Sequence, residues 1–445
     1  FHDLPQGPEA TGVGGYKGFF YHFLDMNTGH RFGRTALSTV DTTLLIAGML
    51  FAARRFDGSH RDEREIRRLA QRVYERVEWD WVVVRPDRIS MGWHPESGFI
   101  EADWNVYNEG MLVLLLAIGS PTHPVPASVW DEWCSVYDRS WSDRWGRPHL
   151  HFPPLFGHQF SHLFVDFRGI QDNYMRERGM DYFENSRRAT LAQRSYAMSN
   201  PMKWKDYGEN VWGLTASDGP HGSTQEFRGE QRKFRTYSAR GAGLSNAFDD
   251  GTLAPTAAVA SIAFAPEIVI PATEEMPRRY GDYLYSSYGF LDSFHPSFDY
   301  DIPQKTGRIV PGKVWVASDY IGIDQGPILA MIANYRNDFV WSVMKKNRYI
   351  RDGLKKAGFQ GGWLDAKTEQ AAQAAPTAPP APADLDAAAA RALGQRQRDI
   401  GRIGLPIQRQ MHACRHAIGI QMRVKRWFLY TTDAADAMTG LSLCR

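Results

Sequence analysis

Two kinds of hydrophobic pattern alternate along this chain. Residues 41–53, which contain "TLLIAGMLFAA", are apolar on nearly every side and predict a helix buried over most of its surface. In "DEREIRRLAQRVYERV" (62–77), Ile66, Leu69, Ala70, Val73 and Val77 keep the i, i+3, i+4, i+7 spacing of a helix with one wet face. The alternation recurs. "YNEGMLVLLLAIG" (107–119) precedes "ASVWDEWCSVYDRSW" (127–141), and "FGHQFSHLFVDF" (156–167) precedes "DYFENSRRATLAQRSYAMSN" (181–200). Residues 255–266 pair in the same way with 272–284, and 322–336 with 338–354. Five inner–outer helix pairs bury their apolar faces best by closing into a double ring, an all-α toroid. An open solenoid would show clearer repetition at a fixed period than these irregular pairs do.

The pattern stops near the C-terminus. In "AAQAAPTAPPAPADLDAAAA" (371–390), fifteen of twenty residues are Ala or Pro, the composition of a linker. The boundaries expected are an extension at 1–13, a helical unit at 14–363, and a linker with a disordered tail at 364–445. A formal net charge of +2 over 445 residues gives no field that points to nucleic acid. The longest apolar runs fall short of the ~18 residues of a spanning helix. Of three cysteines, Cys134, Cys414 and Cys444, only the first lies in the body, which excludes a disulfide framework or a multi-cysteine zinc site there. A chain that opens on Phe1 reads as processed or truncated. The 14 Trp, 19 Tyr and 24 Phe supply core, and they also supply flat faces on which sugars stack.

Candidate chemistry sits where polar loops enter the buried helices. Asp41 in "ALSTVDTTLL", Asp103 and Glu109 in "EADWNVYNEGML", Asp218 in "WGLTASDGP" and Asp324 in "YIGIDQGPIL" share that setting. One acid at a helix start caps free backbone N–H groups. Five, placed by a toroid on one rim with Trp104 and Gln325 among them, suit glycosidic cleavage, which needs a protonated carboxyl and a second one to activate water or attack. Glu184 has two readings: an i, i+4 partner of Arg188, or an acid kept protonated by the apolar wall of Tyr182 and Phe183. In "YGENVWGLTASDGP" (207–220), three glycines allow tight turns, Trp212 offers a stacking face, and Glu209 and Asp218 offer acceptors. His158 and His162 have the spacing of helical metal ligands but lack the Glu of H-E-x-x-H, so a packed pair is the reading and no metal is expected. "GVGGYKGFF" follows no strand, and no Walker loop or nucleophile elbow occurs.

These motifs, with "GFFYHFLDMNTGHRFG", "GSPTHPVP", "GHQFSHLFVDFRGIQD", "YFENSRRAT" and "GTLAPTAAVASIAFAPE", resemble the bacterial glucoamylase-like (glycoamylase) family in collinear order from about residue 14 to 363. That family includes β-1,2-glucanases. The resemblance implies an (α/α)6 barrel and a glycoside hydrolase acting on a glucan, most simply a β-1,2-glucan, without a cofactor. It implies Glu184 as the acid, with Glu109 or Asp324 as its partner, and Asp41, Asp103, Trp104, Glu209, Trp212, Asp218 and Gln325 as substrate-binding residues. A monomer in the periplasm or outside the cell is the matching expectation. Two other readings keep the same barrel: a transglycosylase, and a carbohydrate-binding relative without catalysis. Ala333 in "MIANYR" stands where the family commonly has Glu, which implies a different substrate preference if that Glu shapes the pocket.

Overall fold

The computed structural model describes residues 1–366 apart from 246, 305, 311 and 313. The expected linker at 371–390, and the chain beyond it, lie outside the described residues. The fold is helix-rich. In chain order its helices are α1 (Thr39–Arg55), α2 (Arg61–Glu75), α3 (Gly110–Ile118), α4 (Ser128–Cys134), α5 (Phe156–Phe164), α6 (Asn173–Glu177) and α7 (Tyr182–Ser199). There follow α8 (Pro255–Val259), α9 (Pro266–Tyr280), α10 (Gly322–Asn337), α11 (Phe339–Met344), α12 (Arg348–Lys356) and α13 (Gly362–Asp365).

The inner–outer alternation is visible in burial. All nine residues of α3 are buried, whereas α2 buries only Ala70, Val73 and Tyr74. Helix α1 packs on α2, α3 and α11, α3 on α5 and α12, and α10 on α5, α8 and α11. Five inner helices run the same way. The starts of α1 and α3 meet where Trp104 Nε1 donates to Thr39 Oγ1 at 2.9 Å. The starts of α8 and α10 meet where Thr256 Oγ1 donates to the Asp324 carbonyl at 3.3 Å. At the other end, Asn334 Nδ2 near the end of α10 donates to the Leu163 carbonyl near the end of α5 at 3.1 Å. Phe51 of α1 meets Phe339, just past α10, with centroids 5.6 Å apart.

Several predicted helices have different bounds, for local reasons. The segment expected at 338–354 is two helices, because Asn347 turns its Oδ1 to the N–H groups of Tyr349 and Ile350 and starts α12 afresh. Helix α9 begins at Pro266 rather than 272, since proline is tolerated in a first turn, and ends at Gly281 with φ 62°. The segment expected at 127–141 is helical only to Cys134 and passes through a 3-10 turn, Tyr137–Ser140, into a strand. Short strands accompany the helices, which the all-α expectation did not include. An antiparallel sheet runs Gly15–Tyr16, Phe19–Tyr21, Leu37–Ser38, Gly92–His94, Gly98–Phe99, and its third strand leads directly into α1. Residues 1–13 pack against this part of the fold. The Gly7 N–H donates to the Gly15 carbonyl at 2.9 Å, and Val13 belongs to the core.

Helices α3 and α12 approach through glycine. A Cβ on Gly353 would lie 2.2 Å from the Leu115 carbonyl oxygen, and one on Gly119 would lie 2.3 Å from that of Tyr349. Gly353→Ala gains about 1 kcal/mol of helix propensity. It must also push two backbones apart, an overpacking cost of about 1–3 kcal/mol. The expected outcome is net destabilisation by denaturant titration, whereas an exposed helical glycine replaced in the same way would be stabilised.

Candidate active site

The parallel inner helices present their N-terminal ends to one side, and carboxyl groups collect there. The capping explanation fails for three of them. Helix α1 is capped by Ser38, whose Oγ accepts the Asp41 N–H at 3.1 Å. Glu109 occupies the N-cap position of α3 with no side-chain capping bond, and α10 starts at Ile321 without one. These side chains are free for other work.

Asp41 and Glu109 form a first group. Asp41 is hydrogen-bonded to Nδ1 of His22; that pairing holds the Asp41 carboxyl low against its burial and raises the imidazole. Glu109 is buried, its Oε2 has no hydrogen-bond partner among the described residues, and its carbonyl accepts from Ser161 Oγ at 3.2 Å. Burial, reinforced by the Asp41 charge, pushes its carboxyl up to about 8. Glu109 is therefore protonated at neutral pH beside an ionised Asp41.

Asp218, Asp292 and Asp324 form a second group. The loop 213–218 is pinned to this rim. Gly213 and Leu214 carbonyls accept from the Ala254 and Leu155 N–H groups, each at 3.0 Å, just before α8 and α5. Residues Ala216–Asp218 then pair with Tyr237–Ala239. Beneath that strand pair lies a fully buried ion pair, Arg240 with Asp250 at 2.6 Å, and Arg240 also donates to the Ser217 carbonyl at 2.7 Å. Asp292 Oδ2 accepts from the Asp218 N–H at 2.8 Å and from Ser293 Oγ at 3.0 Å, and its carboxyl is hydrogen-bonded to that of Asp324. Two carboxyls can share such a bond only if one is protonated. Burial raises all three; neighbouring carboxylates add to the rise of Asp324 and of Asp218, which reaches about 8, whereas the hydrogen bonds to Asp292 and the Arg240 charge moderate its rise. The buried Oδ2 atoms of Asp218 and Asp324 have no hydrogen-bond partner among the described residues. Asp292 was not singled out in the sequence: "FLDSFHPS" opens no helix, and only its place between two strands brings it to Asp324.

Other expected site residues lie elsewhere or are occupied. The apolar wall expected around Glu184 is absent. Its Oε1 accepts from Arg188 Nε at 2.8 Å on the part-exposed face of α7, while Tyr182, Asn185 and Ser186 turn inward. Phe183 and Arg187, its neighbours, contact Phe264 beyond the end of α8, so Glu184 is on the side away from the inner-helix starts. Trp212 is fully buried in the core and Trp104 nearly so, which removes both as stacking faces. Rings that large lose most by staying wet. Asp103 is paired with Arg85, and the exposed Glu209 with Arg194. Gln325 Nε2 donates to the Phe290 carbonyl at 2.8 Å, which positions the hairpin leading to Asp292. His158 and His162 are buried. The first accepts the Phe152 N–H at 3.2 Å and the second contacts Ser186 Oγ at 3.1 Å through Nε2. Burial holds both imidazoles neutral.

Comparison identifies the family of this helix-rich scaffold, whose inner helices start at a rim of protonatable carboxyls. The Glycoamylase model, described as "Putative glucoamylase", matches residues 101–348, more than half of the chain. The chain belongs to this family. A curated relative, the exo β-1,2-glucooligosaccharide sophorohydrolase (non-reducing end) of Parabacteroides distasonis, is 26% identical over 372 residues, 77% of this chain and 47% of its own length. The chain thus spans about half the length of that relative. A crystal structure of a putative glucoamylase from Bacteroides uniformis superposes with TM-score 0.65 at 28% identity, covering 79% of each chain. The endo-β-1,2-glucanase of Chitinophaga pinensis, in complex with sophorotriose and glucose, gives TM-score 0.64 at 26% identity over 78% of each chain.

The Glu109 environment has a thermodynamic signature. Its folded pKa of about 8 exceeds the ordinary 4.5 of the unfolded chain, so the folded protein loses stability as pH rises from the lower value through the higher. Glu109→Gln cannot ionise and escapes that loss. The thermal midpoint of the variant minus that of the parent should therefore increase from pH 5 to pH 8.5. A difference independent of pH would place Glu109 in water.

Proposed function

We propose that this chain is a glycoside hydrolase that cleaves β-1,2-glucan, with Glu109 as proton donor and Asp324 as the second carboxyl. The observation that carries the reading is the buried Glu109, protonated at neutral pH with an unpartnered Oε2, on a rim of ionisable carboxyls. Cleavage breaks the bond from the anomeric carbon to the bridging oxygen. Glu109 gives its proton to that oxygen as it leaves. The Asp292–Asp324 pair holds one shared proton and one negative charge, which stabilises positive charge growing on the sugar ring and takes a proton from incoming water. The two β-1,2-glucan enzymes among the relatives support the linkage. Asp41, held ionised by His22, and Asp218 suit hydrogen bonds to sugar hydroxyls.

The same reading extends to architecture. The five parallel inner helices, each followed in the chain by an outer one, supply five of the six pairs of the (α/α)6 barrel that the family resemblance implies, and core residues from Val13 to Leu364 support a single catalytic unit close to residues 14–363. Every proposed group comes from one chain, as suits a monomer. A polymeric glucan substrate favours work in the periplasm or outside the cell.

Reducing ends released from linear β-1,2-glucan test the assignment. Glu109→Gln should lower kcat by about 10²–10⁴-fold, the usual contribution of general acid catalysis. An activated aryl glycoside, whose leaving group needs little protonation, should suffer less. Asp324→Asn should also be severely impaired, and Glu184→Gln should stay within a few fold of the parent. Loss of activity in Glu184→Gln with Glu109→Gln unimpaired would reverse the assignment.

A further inference from the structure

Burial of Trp104 and Trp212 leaves a glucan without the stacking faces expected for it, yet large apolar side chains are exposed beside both carboxyl groups. Next to Asp41, residues 22–32 form a hairpin. Leu24 bridges Arg31, and the Phe32 N–H donates to the Phe23 carbonyl at 2.9 Å. Phe23 and Phe32 are exposed, and the Phe23 ring lies edge-on to His22, the partner of Asp41, with centroids 4.3 Å apart. The turn between them is held rigid by Asp25 Oδ1, which accepts from the Asn27 and Thr28 N–H groups at 3.0 and 2.9 Å. Next to Asp324, Tyr288 is exposed at the tip of the hairpin Tyr285–Ser286/Gly289–Phe290. Its ring meets Tyr320 at 5.4 Å, and the Tyr320 hydroxyl is 2.9 Å from Ser286 Oγ. This hairpin runs into Asp292, whose N–H donates to the Asp319 carbonyl at 3.0 Å, one residue before Tyr320.

The first pair is thus tied to Asp41 through the His22 side chain, and the second to Asp292 through the backbone bond to Asp319. Exposed apolar side chains gathered beside a site mark ligand contact more often than chance exposure. Pyranose rings carry apolar C–H faces that stack on such rings, and hydroxyls that suit the phenols of Tyr288 and Tyr320. Resting on the hydrolase reading above, we propose that Phe23 with Phe32, and Tyr288 with Tyr320, are two glucan-binding platforms, one beside each carboxyl group. A chain that occupies both spans the catalytic groups, so this enzyme grips a glucan away from its ends and cuts internally.

Affinity electrophoresis through native gels containing linear β-1,2-glucan reads binding without cleavage, and reducing-end release is measured in parallel. Phe23→Ala and Tyr288→Ala should each weaken retardation roughly three- to tenfold, the worth of one aromatic contact. Their thermal midpoints should change little, because neither side chain belongs to the buried core. Early products of the parent should be long oligosaccharides, and Tyr288→Ala should raise KM for the polymer while kcat stays within about twofold. Parent and variants retarded equally would overturn the platforms. A parent that is retarded, loses retardation in both variants and releases no reducing ends would keep the platforms and refute the hydrolase reading. A parent neither retarded nor active would refute both.

Discussion

Carboxyl groups that repel one another are held out of water where the starts of parallel helices meet a strand and a loop, and this arrangement organises the rest of the molecule. Asp292 and Asp324 touch, Asp218 donates its backbone N–H to Asp292, and Glu109 feels Asp41. Burial makes each ionisation costly, and each existing charge makes the next one costlier. The group settles by keeping protons that exposed carboxylates would have lost. A helix start partly offsets the cost, since the positive end of the dipole favours negative charge. The result is a set of carboxyls poised to give protons near neutral pH, which a solvent-exposed rim would not provide.

Such a cluster survives only where the surrounding structure leaves it no alternative. The Arg240–Asp250 pair lies under the strand that carries Asp218 and stiffens it, while the Arg240 charge offsets only part of the rise that burial imposes on Asp218 and Asp292. Ser293 and the Asp218 N–H fix one oxygen of Asp292 and leave the other side of the carboxyl to face Asp324. Close glycine contacts between α3 and α12 let the buried α3 hold Glu109 in place. Stability is thus supplied away from the rim and given up at it, as expected of a site built for reaction.

The helical scaffold was legible because its signal is long. A nine-residue helix with every position buried, followed by amphipathic ones, leaves a periodicity that short local preferences cannot erase. The acids at helix starts were legible for a similar reason: Asp41, Glu109 and Asp324 each stand where a polar loop meets an apolar run. Asp292 was not, because it lies in a loop between short strands and becomes informative only through contacts with residues 74 and 32 positions away. Glu184 shows the converse. Its aromatic neighbours suggested an apolar wall, but on a helix Tyr182 and Phe183 point to other faces than Glu184 does, and Arg188 one turn on takes the charge. Trp212 misled because a glycine-rich loop reads as exposed, whereas this one plugs the space between the starts of α5 and α8.

The claim that burial keeps these carboxyls protonated is most directly tested by following the side-chain carboxyl carbons of Glu109 and Asp218 by ¹³C NMR through a pH titration of the intact protein. The account predicts midpoints near 8 for both, with Glu109 moving lower when Asp41 is replaced by Asn. Midpoints near the ordinary 4, unaffected by Asp41→Asn, would contradict it.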